Sequence, residues 1–120
     1  MTYKYINTEY LDSVSGGDYS VTIEIVSMFI EQAGEIFSEM KTLLENKDYY
    51  NLGLLAHKAK SSVAIMGMAD LAAMLKTFEL QAKEGVETEK YGSYVDRYRI
   101  ETTEAAAELN DLVENIKKGV

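Results

Sequence analysis

Leu54-Leu-Ala-His57-Lys-Ala-Lys60-Ser-Ser-Val-Ala-Ile-Met-Gly67 is the stretch whose reading decides the fold, and it holds the only histidine of the chain. Taken as a helix turning about 100° per residue, it carries one apolar stripe centred on Ala59. Leu52, Leu55, Ala56, Ser62, Val63 and Met66 all fall within roughly 60° of that centre. His57 falls roughly 160° away, facing water or a partner rather than a core. Its neighbours on that side, Gly53, Ser61 and Ala64, are small, and Lys60 follows one turn on. A glycine inside a helix costs about 1 kcal/mol relative to alanine. Small residues around one exposed imidazole make sense if something wide must approach it.

The flanking sequence supplies further helices. Thr8 to Val14 is expected to form a short helix capped by Thr8, and Ser15-Gly16-Gly17 breaks it. Asp18 is the expected cap of a long second helix running to about Leu44, with Val21, Ile25, Met28, Phe29, Ile36, Met40 and Leu43 at helical spacing. Ile23, Ile30 and Phe37 repeat every seven residues roughly 140° from that stripe. Either another helix covers this second seam, or part of it docks a partner beside the histidine helix. Asp48 is the expected cap of the histidine helix and Gly67 its stop.

A fourth helix carries Leu71, Met74, Leu75, Phe78 and Ala82 on one face and ends near Gly85. The turn before it is short, so it pairs antiparallel with the histidine helix. The last helix begins between Thr88 and Ser93, and Tyr94, Val95, Tyr98, Ala105, Leu109, Leu112 and Ile116 sustain its stripe. Lys117 and Lys118 suit its dipole. The nine tyrosines are expected at the rim with their hydroxyls in water, and the methionines on core stripes as filler. The expected fold is all-α: an antiparallel four-helix bundle with an additional short N-terminal helix, one domain over 1–120.

Composition narrows the function. With 47% hydrophobic residues and no proline, the 120-residue chain is globular and helix-compatible. It has no cysteine, which removes disulfides and thiolate metal sites. A net charge of −8 repels phosphate backbones and anionic lipid, so neither nucleic acid nor membrane is an expected partner. No signal peptide or membrane span is legible, and a cytoplasmic location is the expectation. There is no glycine-rich phosphate loop for nucleotide. No metal is expected: di-iron bundles need two Glu-x-x-His motifs, Leu54 stands three residues before His57, and one histidine without cysteine makes a poor zinc site. No acidic residue is indicated as an orienter of the histidine.

What remains is the imidazole itself. In its neutral form it offers one unprotonated nitrogen that can attack phosphorus at physiological pH. Lys60, one turn on, sets a cation near that nitrogen; Lys58 lies on the flank.

Ala56, His57, Lys60, Ser62 and Gly67, continuing into Ala69, Leu71 and Glu79, resemble the motif of histidine-containing phosphotransfer (HPt) domains. That motif reads close to A-H-x-L-K-G-S-S followed by a glycine ten residues after the histidine. Ala59 stands where the family has a larger aliphatic, and Ser61 where it favours glycine. The resemblance implies that His57 accepts and donates a phosphoryl group and that Lys60 neutralises it. It implies a response-regulator receiver domain, or a hybrid sensor histidine kinase, as partner, with Mg²⁺ on the receiver and no cofactor on this chain. Gly53, Leu54, Ser61, Ala64 and Met68, with Ile23 and Ile30, form the expected docking surface of a monomeric carrier without catalysis of its own. The alternatives are a bundle that docks receivers without carrying phosphate, an unrelated helical scaffold, and a metal-binding bundle. Whether the chain is free-standing or a module of a larger kinase stays open.

Overall fold

Side-chain caps and left-handed glycines cut the chain into helices. The computed structural model describes residues 3–119. Among these, five α-helices run in order: α1 (Thr8–Ser15), α2 (Tyr19–Glu45), α3 (Tyr49–Ile65), α4 (Ala69–Glu84) and, after a 3-10 turn at Thr88–Lys90, α5 (Tyr91–Gly119). Asp18 caps α2 by accepting the Ser20 and Val21 N–H groups. One expected cap is corrected: Asn7, not Thr8, starts α1, its side chain accepting the Tyr10 N–H at 3.0 Å. Asp48 is the N-cap residue of α3, its carbonyl accepting the Leu52 N–H at 3.0 Å, while its carboxylate accepts from the Asn51 side chain at 2.9 Å rather than from a backbone N–H.

The four long helices close into a ring. α2 packs on α3 and α5, and α4 packs on α3 and α5, with the α3–α4 hairpin the most extensive contact. Leu52, Ala56, Ala59 and Val63 of α3 are fully buried against Leu75 and Phe78 of α4, Met40 of α2, and Tyr98 and Leu109 of α5. This is the stripe read from the sequence, and the helical bundle it implied is the observed fold.

Side-chain placement departs from expectation in three ways. Tyr91 is wholly buried rather than at the rim, joining Tyr98, which the stripe of α5 had already placed in the core. The Tyr91 hydroxyl bonds the carbonyls of Gln81 and Val86 at 2.8 and 2.5 Å, closing the end of α4. Met28 is exposed, because the α2 surface turned to the core runs through Val26 and Phe29 instead. The seam of Ile23, Ile30 and Phe37 faces α5. Ile23 lines a groove with Asn110 and Val113, and Ile30 and Phe37 line one with Arg99, Thr102 and Ala106. All three are half-buried, so the flank of α5 largely covers this seam, and it does not lie beside the histidine helix as the docking expectation required.

The segment before α1 straps the bundle end. Backbone N–H groups of Lys4, Tyr5 and Ile6 donate to the Glu108 carboxylate at 2.9–3.1 Å, and Tyr3 Oη donates to Asp111 at 2.8 Å. Asn7 N–H then donates to the Met66 carbonyl at 3.1 Å. At the α3–α4 turn Gly67 has φ +77°, and Asn7 Cβ lies 2.6 Å from where a Gly67 side chain would begin. Left-handed backbone and close approach both demand glycine there. The strap delivers α1 onto α2 and α3.

Candidate functional site

His57 stands near the middle of α3 with its side chain 56% exposed. The wheel placed it off the apolar stripe, and the fold leaves it there. Leu54, Ser61 and Lys58 are exposed on the same helix, and Ala64 is half-buried. Two expected docking residues are elsewhere. Gly53 is buried under α4: a Cβ there would sit 2.8 Å from Lys83 Cγ and 3.0 Å from both the Glu79 carbonyl oxygen and the Lys83 nitrogen. This glycine gives close access to a neighbouring helix of the same chain. Met68 is 4% exposed because it enters the core as it starts α4. Neither offers a surface to a partner.

The close approach at Gly53 brings Glu79 against the histidine. Glu79 lies on the buried face of α4 among Leu75, Phe78 and Ala82, and its side chain is only 9% exposed. A buried carboxylate is tolerated when its oxygens are paired. His57 Nδ1 lies 3.0 Å from Glu79 Oε1 and 3.1 Å from Oε2. Lys83 Nζ donates to Oε2 at 2.8 Å, one turn along α4. Lys60 Nζ sits 3.5 Å from Oε1. The Lys83 hydrogen bond, opposed by burial and reinforced by His57, pulls the Glu79 carboxyl from 4.5 down to about 2.

The chemistry of the ring follows. Glu79 is ionised near neutrality, and a carboxylate only accepts hydrogen bonds. Nδ1 therefore carries the proton and donates it to Glu79. In the neutral imidazole the lone pair then belongs to Nε2, the ring atom turned away from the buried carboxylate. The cluster sums to one negative and two positive charges beside that lone pair, which suits an anionic group. Lys60 was legible as the cation one turn after the histidine. Glu79 and Lys83 were not read as site residues. Their signal was a glutamate interrupting the apolar stripe of α4, with a lysine four residues later in the favourable order.

The exposed face of α3 around His57 mixes polar Lys58 and Ser61 with apolar side chains. Tyr50 and Leu54 lie toward its N-terminal end and Ile65 toward its C-terminal end. Ile65 shares a shallow cleft of about 220 Å³ with Val14 of α1 and Met28 and Gln32 of α2. Among the described residues no group of three or more His, Asp or Glu side chains is placed to hold a metal ion, and no helix is long and apolar enough to cross a membrane.

The family model described as Hpt domain matches residues 24–119. No curated protein and no solved structure matches the chain.

Proposed function

The chain belongs to the Hpt domain family, whose members carry phosphoryl groups in two-component signalling, and from that membership we propose that it is a cytoplasmic phosphorelay intermediate working through His57. The observation that carries this reading is the Glu79 carboxylate on Nδ1, which leaves Nε2 as the nucleophile on an open helix face. Nε2 attacks the phosphorus of a receiver's aspartyl phosphate. The P–O bond to that aspartate breaks, the carboxylate leaves, and the ring keeps its Nδ1 proton against Glu79. The return transfer reverses each change, and neither direction needs a proton to move. Lys60 neutralises phosphoryl charge.

The receiver, alone or within a hybrid sensor kinase, supplies Mg²⁺ and most of the transition-state stabilisation, so this domain is a carrier rather than a catalyst. It acts as a monomer. Leu54, Ser61 and Ala64 of α3, joined by Tyr50, Ile65, Met28 and Val14, make the surface on which the receiver sits. The exposed apolar side chains suit such a contact, and the small residues leave the approach to Nε2 open.

The test is incubation with a phosphorylated receiver domain and Mg²⁺, read by intact mass. One acid-labile phosphoryl group gained by the wild type and absent from His57→Gln is the expected result. Failure of the folded wild type to accept phosphate from a broad panel of receivers refutes carriage and leaves a docking module.

A further inference from the structure

The two lysines on Glu79 are not equivalent. Lys83 Nζ makes a hydrogen bond to Oε2 at 2.8 Å, whereas Lys60 Nζ stands at 3.5 Å from Oε1, an ion pair without a hydrogen bond. Lys60 shares α3 with His57, three residues on, where its flexible stem can reach a group on Nε2. Lys83 comes from α4, and its stem lies across α3 at Gly53, where a Cβ would displace Lys83 Cγ. Glu79 needs a counter-charge because it is buried, and only one of the two cations is free to turn toward solvent without abandoning a hydrogen bond.

We propose that Lys83 is a positioning residue that neutralises Glu79 and so releases Lys60 to the phosphoryl group. The inference rests on the phosphotransfer reading of His57. In the resting site Lys83 and Glu79 cancel, leaving the charge of Lys60 unspent. When a phosphoryl group arrives on Nε2, Lys60 turns to its oxygens while Glu79 keeps the Nδ1 proton and stays paired through Lys83. Without Lys83, the buried carboxylate captures Lys60. Gly53 belongs to the same device, since any side chain there displaces the stem that carries Lys83 to its place.

Phosphoramidate serves as the donor, so the outcome does not depend on docking. Nε2 attacks phosphorus, the P–N bond breaks and ammonia leaves. Intact mass follows phosphoryl uptake by wild type, Lys83→Met, Lys83→Arg, Lys60→Met, the double lysine variant, and Lys83→Met combined with Glu79→Gln. Circular dichroism confirms folding. Lys83→Met should slow uptake about tenfold, a loss comparable with that of a misplaced charge-neutralising group. Lys83→Arg should restore it.

The double lysine variant should be no more than about twofold slower than Lys60→Met, because both changes remove the same cation from the phosphoryl group. Glu79→Gln should partly rescue Lys83→Met, since an uncharged side chain cannot capture Lys60. A merely structural lysine would give no such rescue. Wild-type uptake in Lys83→Met, fully multiplicative lysine losses, or no rescue by Glu79→Gln each overturn the assignment. If the wild type takes up phosphate but Lys83→Met matches it, this inference alone fails. If the folded wild type takes up none on His57, the function reading fails and the role of Lys83 falls with it.

Discussion

Replacing Glu79 by glutamine keeps the side chain's shape and an acceptor for the His57 Nδ1–H, and removes only the charge that Lys83, His57 and Lys60 surround. The Glu79 carboxyl lies at about 2 in the folded chain, against 4.5 ordinarily. A pKa lowered by folding contributes stability that is complete above the ordinary value and is lost as pH falls through the folded one. At 1.36 kcal/mol per unit, the shift corresponds to about 3 kcal/mol, reduced to about 2–3 by solvent around the half-exposed lysines. The assay is urea unfolding followed by helical circular dichroism, for wild type and Glu79→Gln, from pH 7 down to 2. The chain has 20 carboxylate side chains, but those shared by both proteins cancel in the difference. The wild type should be more stable by about 2–3 kcal/mol at pH 7 and 5. The gap should shrink below about pH 4.5 and largely close near pH 2. A gap that is absent at pH 7, or that persists unchanged to pH 2, refutes the ion-paired carboxylate on which the site description depends.

Other perturbations test the surrounding structure. Gly53→Ala gains about 1 kcal/mol of helix propensity but drives a methyl to 3.0 Å from α4 backbone, and should destabilise thermal unfolding by about 1–2 kcal/mol net. Tyr98→Phe removes a buried hydroxyl that has no hydrogen-bond partner, and should raise stability in urea by about 1 kcal/mol. Glu108→Ala unties three backbone donors of the N-terminal strap; the amides of Lys4, Tyr5 and Ile6 should lose hydrogen-exchange protection while those of α4 keep theirs.

The bundle was legible because each long helix repeats its apolar residues at one period, and because Gly16, Gly67 and Gly85 punctuate them. The exposure of His57 was legible for the same reason. What a single-helix wheel cannot show is which neighbour covers each flank. Gly53 lies about 40° from His57 on the wheel and reads as open surface, yet α4 packs on that flank. The same packing explains why Glu79, 22 residues beyond His57, was missed as its orienting acid: their contact exists only once the α3–α4 hairpin closes. The seam through Ile23 and Ile30 was ambiguous until α5 was placed against it. The N-cap position of Asp48 was legible, but not that its carboxylate takes the Asn51 side chain in place of a backbone N–H.

The central claim is that Glu79 holds the Nδ1 proton of His57 and thereby makes Nε2 the atom that carries phosphate. The most direct measurement is ¹⁵N and ³¹P NMR of the domain after transfer from a phosphorylated receiver with Mg²⁺, locating the phosphorus on the ring. The account predicts a single phosphoryl group on Nε2 of His57, with Nδ1 still bearing hydrogen. Phosphorus on Nδ1, or on any residue other than His57, would contradict it.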